Sequence, residues 1–560
     1  ELKERWRTHL KKQCLRDVWN ALDKQKKAHA KNDTVKLLPL AEIEQTKREK
    51  LLKRQDDWFH RILDQVNNTD RISLYINSLA AAFDPHSSYY PPKLKDDFDI
   101  AFSGKLEGIG ATLSPKDGYI RIVELVPGSP SWKTKKLAKD DLIMKVAQGD
   151  EEPVDVYDMR LDDAVKMIRG PKGTEVRLTI KKPDESIIVV PIIRDVVIRE
   201  ETYAKSCVIE TEVDGQNIRA GYIYLPSFYT DFRSAKGRSC ETDMAKEIEK
   251  IKADGIDNII LDLRSNGGGS LGGAVDIAGL FIDKGPVVQR KNGFGQTKVL
   301  NDTDPKVQFD GNLVILVSET SASASEILAA AMQDYKRAVI VGPISTYGKG
   351  TVQQFVDIDR LLPAKFNEYK SFGSIKITME KFYRINGGAT QLKGVTPDIV
   401  LPTSYALIDF GEKERDYPLQ WDEIASTKYT PKQKYIPNMA LIQSKSKARI
   451  EQDTTFQKIK EYAKWIKKER DNSIMPLDME RFSLKEEARK EQQKRFDNIG
   501  KDSLNVSVYD LTQDAPLINA DSVKREDRND WYKNICKDIY IKEALEISRD
   551  LQAVRKSDDE

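Results

Sequence analysis

Histidine is scarce in this sequence and is missing from most of it. The four histidines, His9, His29, His60 and His86, all lie within the first 86 of 560 residues. Histidine is the usual general base beside a serine or cysteine nucleophile. A catalytic serine later in the chain would therefore need a base of another residue type, or a histidine from a distant segment.

The sequence also has few cysteines, a net charge close to zero and no long apolar run. The four cysteines, Cys14, Cys207, Cys240 and Cys536, are widely spread, and their spacing fits neither a metal site nor a disulfide framework. With 91 basic and 89 acidic residues the net charge is +2, which gives no general attraction to nucleic acid. No run of 18 apolar residues occurs, so we expect no membrane span.

The sequence begins at Glu1, without a methionine or an apolar leader. We therefore expect either that a signal segment has been removed or that the sequence is truncated at its start. A chain of 560 residues is long enough for about two to four domains.

A serine-rich turn stands between an apolar run and an alanine-rich run. Residues 313–317 are typical of a buried parallel strand, and residues 327–332 predict a tightly packed helix. Ser321, Ser323 and Ser325 lie between them. Free N–H groups and the positive dipole end at a helix N-terminus suit a nucleophile beside an oxyanion site. The alternative is an ordinary serine-rich helix cap.

Lys349 lies between two glycines, shortly after the apolar run 338–341. A lysine in a dry site has a lowered pKa, so it can take a proton from a serine. The segment 342–351 also resembles a phosphate-binding loop, but it has five residues between its glycines instead of four. Gly350 also stands where Ser or Thr should follow the lysine. A nucleotide-binding enzyme is therefore a distant alternative.

Three consecutive glycines, Gly267, Gly268 and Gly269, follow the apolar run 258–263. Glycines at a strand end allow backbone N–H groups to face a ligand, and the alternative is a flexible loop. The chain thus has three glycine- or serine-rich turns that each close an apolar strand. Together they are harder to explain as unrelated loops.

These segments together resemble the C-terminal processing peptidases, or tail-specific proteases, most closely the long periplasmic form. The resemblance runs from about Asp84 into the C-terminal region. It is carried by residues 261–269, 321–326, 332–335, 348–354, 381–388 and 394–398. The segment 342–348 is one residue longer than the family pattern, which leaves Gly348, Lys349 and Gly350 intact.

The resemblance implies a serine endopeptidase with a Ser/Lys dyad, and it implies neither a metal nor a cofactor. Ser323 matches the nucleophile and Lys349 the base. Gln353, one turn beyond the lysine, matches the residue that orients it, and Asp334 matches a supporting acidic position. The implied oxyanion donors are the N–H of Ala324 and one N–H from Gly268 or Gly269.

Residues 96–195 predict short strands and one good helix. Residues 108–113 resemble the carboxylate-binding loop and edge strand of a PDZ domain, to which an extended peptide adds as a further strand. The helix 161–169 would form the other wall of the groove. The alternative is a small β domain with no ligand. The residues expected to bind a substrate tail are Lys105, Gly108, Ile109, Gly110, Ala111, Thr112, Leu161 and Val165.

We expect a multidomain α/β protein, with a helical N-terminal region at 1–95 and a PDZ domain at 96–195. A mixed α/β protease core, crotonase-like by resemblance, would occupy 196–405, and a charged helical region 406–560. By resemblance, the C-terminal region wraps the core and docks an envelope adaptor, and the protein lies in the periplasm or cell envelope. Its expected partners are proteins with apolar C-terminal tails. The alternative function is a non-catalytic PDZ scaffold or chaperone, and His86 is expected to be structural.

Overall fold

The computed structural model of the protein describes residues 1–213, 215–231 and 237–559. They fall into two units. The first contains Glu1–Tyr75, Pro402–Ile408 and Glu451–Asp502, and the second contains the rest of the described chain. Within the described ranges, none of the helices combines the length and apolar character needed to cross a bilayer.

The α-helices of the described chain are long at its two ends and shorter in its middle. In chain order they are α1 (Leu2–Lys31), α2 (Leu40–Gln65), α3 (Asn68–Ala81), α4 (Pro92–Ser103), α5 (Pro130–Lys133), α6 (Leu161–Ile168), α7 (Cys240–Ala253), α8 (Leu271–Gly279), α9 (Ala324–Asp334), α10 (Met439–Gln452), α11 (Thr454–Asp471), α12 (Met479–Lys494), α13 (Ala515–Asn519), α14 (Ser522–Ile535) and α15 (Ile539–Asp559).

The strands of the described chain all lie in the second unit. In chain order they are β1 (Ser88–Tyr90), β2 (Lys105–Gly108), β3 (Ala111–Lys116), β4 (Tyr119–Leu125), β5 (Leu142–Gln148), β6 (Val154–Asp155), β7 (Glu175–Lys181), β8 (Ile187–Ile193), β9 (Asp195–Ile198), β10 (Lys205–Val213), β11 (Gln216–Tyr224), β12 (Asn258–Asp262), β13 (Gly285–Asn292), β14 (Thr297–Asp302), β15 (Asn312–Leu316), β16 (Val339–Gly342), β17 (Thr351–Asp357), β18 (Ser374–Tyr383), β19 (Ile399–Val400) and β20 (Ser507–Tyr509).

The first unit is built from charged helices with few buried side chains. Helices α1 and α2 pair, and Val18 and Trp19 of α1 are buried. Lys490 of α12 lies over the Trp19 ring, 3.9 Å from its centroid, and its ammonium is 2.6 Å from Asp23. A part of the C-terminal region therefore packs with the N-terminal helices. The sequence had predicted one undivided C-terminal region.

The largest sheet of the second unit has the strand order β19-β16-β15-β12-β11-β10-β20. Strands β11, β12, β15, β16 and β19 are parallel, whereas β10 and β20 are antiparallel to their neighbours. Every residue of β12, β15 and β16 is buried, as expected of parallel strands covered on both faces. The mixed α/β core expected from the alternating pattern is confirmed.

The turns after β12, β15 and β16 are brought to one place by this strand order. The three strands are neighbours and parallel, so their carboxyl ends share one edge of the sheet. The glycine turn follows β12, the serine turn follows β15, and the segment with Lys349 follows β16. Ligands of parallel sheets bind at this edge.

The end of the chain belongs to this core. Strand β20 pairs with β10 at one edge of the sheet, and α15 packs against β11, β12 and β15. The ammonium of Lys250 on α7 pairs with Asp514 at 2.9 Å. Residues after 502 are therefore structural parts of the core, since their burial completes its sheet and covers its strands.

A second sheet carries the segment that follows Lys349. Its central strand, β18, pairs with β1, β13 and β17. Strand β1 comes from the segment before the PDZ domain, so residues close to 90 lie beside residues close to 375. This pairing brings the turn at 84–87 near the lysine segment.

The region expected to be a PDZ domain has a sheet in the order β3-β4-β5-β7-β8, with β6 on β5, and a separate pair of β2 with β9. Helix α6 contacts β3 and β5. Helix α4 crosses the expected boundary at 95 and was not predicted. Its start at Pro92 is allowed because proline is tolerated at a first helical position, and it ends at Gly104 with φ +68°.

Candidate active site

Of the three serines at and just before the start of α9, only Ser323 is available for chemistry. The hydroxyls of Ser321 and Ser325 are buried and donate to the carbonyl oxygens of Leu263 and Asn266, at 2.8 and 2.9 Å. Ser323 is half-buried, with φ 57° and ψ −112°. A side chain in this backbone region costs roughly 1–3 kcal/mol, and such strain clusters at functional sites.

The glycine turn lies directly against Ser323. The Ala322 N–H donates to the Asn266 carbonyl at 3.1 Å, which ties the two turns together. Gly268 has φ +103°, and a Cβ there would lie 2.8 Å from Ser323 Cβ and 3.0 Å from Ala324 N. No side chain fits at this position, so glycine is required by the close approach as well as by the backbone angle.

The backbone N–H groups of the two turns differ in their availability. The buried Gly268 N–H donates to Asn266 Oδ1 at 2.9 Å. Among the described residues, no acceptor lies within hydrogen-bond reach of the N–H of Gly269 or of Ala324. Gly269 is exposed, whereas Gly268 is buried. Of the two glycines that the sequence left open, Gly269 is therefore the one with a free and accessible donor.

A buried carboxylate joins the serine turn to the lysine segment. Glu326 is fully buried, and its Oε2 accepts the N–H of Ser323 at 2.8 Å and of Lys349 at 3.0 Å. Its Oε1 accepts the Thr346 hydroxyl at 2.6 Å and the Gly348 N–H at 2.7 Å. Burial raises the pKa of Glu326 to about 7, although these four hydrogen bonds favour the charged form.

Lys349 is half-buried, and its surroundings favour the neutral amine. Burial, and next the positive charge of Lys376, lower its pKa to about 8, against the opposing effect of Glu412, Glu326 and Asp84. No hydrogen bond or ion pair joins its Nζ to any described residue, Ser323 included. The backbone N–H groups of Ser323 and Lys349 thus bind the same Glu326 carboxylate, whereas no hydrogen bond joins the two side chains.

Gln353 lies four residues beyond the lysine, in a strand. It belongs to β17, where its Nε2 donates to the hydroxyls of Thr351 at 2.9 Å and Thr378 at 3.1 Å. These bonds occupy the amide nitrogen and leave the carbonyl oxygen Oε1 as the acceptor.

Asp334 lies at the opposite end of α9 from Ser323. The helix has 11 residues, so about 1.5 Å per residue puts the two roughly 16 Å apart. Its carboxylate pairs with Arg384 at 2.6 Å and accepts from Asn386 at 2.9 Å. Burial raises its pKa despite the arginine. Asp334 therefore anchors the far end of the helix and does not reach the reacting atoms.

The PDZ residues named from the sequence gather around an open strand edge. Strand β3 pairs only with β4 among the described strands. The Gly110 carbonyl accepts the Val126 N–H at 2.9 Å, so the next pair, Ala111 and Leu125, is not hydrogen-bonded. The N–H of Ala111 then faces the open edge. Leu161 and Val165 are half-buried on α6, which contacts β3, and Thr112 is exposed.

The loop 108–110, which the sequence predicts to bind a carboxylate, is held in place by its neighbours. Ile109 is buried in the domain core, and its carbonyl accepts the Ser131 N–H at 2.8 Å. Gly108 ends β2, and Gly110 has φ +75°. The sequence predicted that Lys105 would add a positive charge to this loop. Its ammonium instead pairs with Asp231 at 3.0 Å.

Two features separate the site from other interpretations of the sequence. After Lys349 the chain enters β17, so the segment 342–351 lacks the helix N-terminus of a phosphate-binding loop. His86 Nε2 lies 2.8 Å from Oε2 of the buried Glu412, within hydrogen-bond distance, and His86 does not contact Ser323. The structural role expected for His86 agrees with this contact.

Sequence reasoning gave no role to Glu326, Asp84 or Glu412. The pattern Ser323-x-x-Glu326 is a capping box, and this local signal could have indicated a role for Glu326. No local signal pointed to the pair of His86 and Glu412, because 326 positions separate them.

Comparisons with known proteins cover nearly the whole chain. Family models match residues 1–93 (tail specific protease N-terminal domain), 99–181 (PDZ domain), 219–401 (peptidase family S41) and 405–553 (C-terminal domain of tail specific protease). The tail-specific protease of Haemophilus influenzae is 37% identical over 497 residues, which are 87% of this chain and 69% of that protein.

Other matches cover smaller parts of the chain. A carboxy-terminal-processing protease of Bartonella bacilliformis is 30% identical over 65% of this chain and 80% of its own. A crystal structure of the PDZ domain of a carboxy-terminal protease from Vibrio cholerae, in complex with peptide, is 43% identical. It covers 17% of this chain and 99% of that chain, with a TM-score of 0.17.

Proposed function

Because the chain belongs to the tail-specific proteases, which are S41 serine peptidases with a PDZ domain, we propose that it cleaves proteins with a Ser323/Lys349 dyad after binding their apolar C-terminal tails. The observation that carries this proposal is the carboxylate of Glu326, which accepts the N–H groups of both residues on one oxygen. It supports a fixed placement of nucleophile and base.

In this mechanism Ser323 Oγ attacks the scissile carbonyl while Lys349 Nζ takes its proton. Lys349 then gives that proton to the leaving amine. With a pKa of about 8, roughly a tenth of the lysine is neutral at pH 7, far more than for an exposed lysine. The side chains must approach for this transfer, and catalytic hydrogen bonds often tighten only when substrate is bound.

The free donors next to Ser323 suit the oxyanion of the tetrahedral intermediate. The N–H groups of Ala324 and Gly269 would bind it, which is a large stabilising term in acyl transfer. Gln353 would accept a hydrogen bond from Lys349 through Oε1, since its nitrogen is already occupied. Asp334 would act only through its anchoring of α9.

For tail recognition, an extended C-terminus would add to β3 as a further strand. Its terminal carboxylate would face the loop of Gly108, Ile109 and Gly110, with the N–H of Ala111 on the open edge. The last apolar side chain would lie between β3 and α6, beside Leu161 and Val165, with Thr112 on the exposed side. Backbone N–H groups would provide this recognition, because Lys105 is paired with Asp231.

The same family membership supports a proposal about the domains of the chain and its location. We infer a location in the periplasm or cell envelope, docking of an adaptor protein, and four domains at 1–95, 96–195, 196–405 and 406–560. The fold modifies two of these bounds, because α4 crosses residue 95 and residues after 502 pack in the core. The alternative, a non-catalytic PDZ scaffold or chaperone, would bind the same tails without cutting them.

The test compares cleavage of one protein with an apolar tail by four variants. Ser323→Ala and Lys349→Ala should each lower the rate at least roughly a thousandfold with the fold retained. The matched controls, Thr320→Ala and Lys365→Ala, change exposed residues and should cleave normally. If the first two variants also cleave normally while binding the tail, the dyad is refuted. Binding without any cleavage by the unmodified protein would favour the scaffold.

A further inference from the structure

Asp84 lies outside all three catalytic turns, yet it is held in the site by several donors. It is 7% exposed and follows α3, in the turn before β1. Its Oδ1 accepts the N–H groups of His86 and Ser87, at 2.8 and 3.0 Å, and the hydroxyl of Thr378 at 2.9 Å. It is also one of the carboxylates whose charge acts on Lys349.

The charge state of Asp84 sets the direction of its hydrogen bonds. Burial favours the neutral acid, but the hydrogen bonds from Ser87, His86 and Thr378 outweigh it and hold the pKa of Asp84 below its usual range. An ionised carboxylate only accepts hydrogen bonds. The single hydroxyl proton of Thr378 therefore goes to Asp84.

The hydrogen bond from the Thr378 hydroxyl to Asp84 determines how the Gln353 amide is oriented. With its proton given to Asp84, Thr378 Oγ1 can only accept, so the group 3.1 Å away must be the amide nitrogen of Gln353. Thr351 Oγ1 accepts a second hydrogen bond from the same nitrogen at 2.9 Å. The carbonyl oxygen of Gln353 therefore remains able to accept a hydrogen bond.

We propose that Asp84 is a positioning residue for the general base: through Thr378 it holds the Gln353 amide with its oxygen, and not its nitrogen, available to the Lys349 ammonium. This inference rests on the proposed roles of Gln353 and Lys349. Without the acceptor at residue 84, the Thr378 hydroxyl is free to donate to the Gln353 oxygen. The amide can then turn and present its nitrogen, which cannot bind an ammonium group.

Thr378→Val breaks this relay with little effect on the fold. Valine has the shape of threonine and suits a strand, and the Thr378 N–H keeps its bond to Ser87 Oγ at 3.1 Å. We expect kcat to fall on the order of ten- to a hundredfold, with KM unchanged. Thr378→Ser retains the hydroxyl and should retain most of kcat. Thr297→Val, at an exposed position of β14, is the matched control and should have no effect.

Two variants of Asp84 separate its acceptor from its charge. Asp84→Ala removes the acceptor and should lower kcat as Thr378→Val does. Asp84→Asn keeps the acceptor oxygen and should retain most of kcat, but it removes one of the charges that face Lys349, which are Lys376, Glu412, Glu326 and Asp84. Since the carboxylate raises the pKa of Lys349, this variant should shift the acid limb of the rate profile to lower pH.

A double-mutant cycle with Gln353→Ala decides the inference. Gln353→Ala should lower kcat by itself, and Thr378→Val should then cause no further loss, because both changes act through the same amide. If Gln353→Ala lowers kcat and Thr378→Val leaves it normal, or if the two losses multiply, the inference about Asp84 is wrong and the dyad stands. If Gln353→Ala leaves kcat normal, the proposed role of Gln353 fails, and this inference fails with it.

Discussion

Ser323 and Lys349 donate their backbone N–H groups to the same atom, Oε2 of Glu326, at 2.8 and 3.0 Å. The two residues follow different parallel strands, β15 and β16, so the sheet brings their segments to one edge. The buried carboxylate then fixes the spacing of the two segments. The spacing between the backbones of Ser323 and Lys349 is thus set by a third residue, Glu326.

Glu326→Gln should therefore lower cleavage by roughly tenfold or more, without removing the nucleophile or the base. Four donors converge on the carboxylate, and glutamine offers one oxygen and a competing NH2 group. The rate is compared with that of Glu368→Gln, which changes an exposed residue. Equal and normal rates for both variants would show that Glu326 does not position the site.

The pH dependence of cleavage should report the pKa of Lys349. The neutral amine is the active form, so kcat/KM should rise as pH passes through about 8. Burial and then Lys376 lower this pKa, so Lys376→Met should raise it and move the rise in activity to higher pH. The measurement is kcat/KM against pH for both proteins. A rise at the same pH in both, or a shift to lower pH, would contradict this electrostatic account.

Gly268→Ala should abolish most activity, whereas Gly267→Ala should not. A Cβ at Gly268 would lie 2.8 Å from both Ser323 Cβ and the Ala322 carbonyl, and the residue has φ +103°. A Cβ at Gly267 meets no atom within 4 Å. We expect a loss on the order of a hundredfold for the first variant, from displacement of the nucleophile. Similar cleavage by the two variants, with circular dichroism as a check on folding, would refute the close approach.

Substrate choice should depend on both the charge and the last side chain of the tail. One protein is given four C-termini, which are free apolar, amidated apolar, free acidic and free basic. Amidation removes the charge that the loop N–H groups favour, and a charged last residue would be desolvated at a cost of several kcal/mol. The free apolar tail should be cut fastest. Equal rates for all four would leave an endopeptidase that does not select tails.

The sequence predicted the parts of this protein whose signals are local. The parallel strands of the core are uninterrupted apolar runs, and the serine, glycine and lysine turns follow them directly. The capping box of Ser323 and Glu326 was equally local, although its role in joining two segments depends on a hydrogen bond to residue 349. Short-range patterns therefore indicated the candidate site without giving its internal contacts.

The contacts that were not predicted join positions far apart in the chain. Asp84 meets Thr378, His86 meets Glu412, and Lys105 meets Asp231. The division of the C-terminal region also depends on which long helices bury their apolar faces together. A single sequence carries no periodic signal for such pairs, because each joins segments that only the tertiary fold brings together.

The most direct test of the dyad is the site and rate of covalent labelling by a serine-directed fluorophosphonate, read by mass spectrometry of the digested protein. The account predicts that the label lies on Ser323, and that its rate rises with pH around the Lys349 pKa of about 8. In Lys349→Ala the labelling should be lost, while Lys365→Ala should label normally. A label on another serine, or equally fast labelling of Ser323 in Lys349→Ala, would contradict a Ser323/Lys349 mechanism.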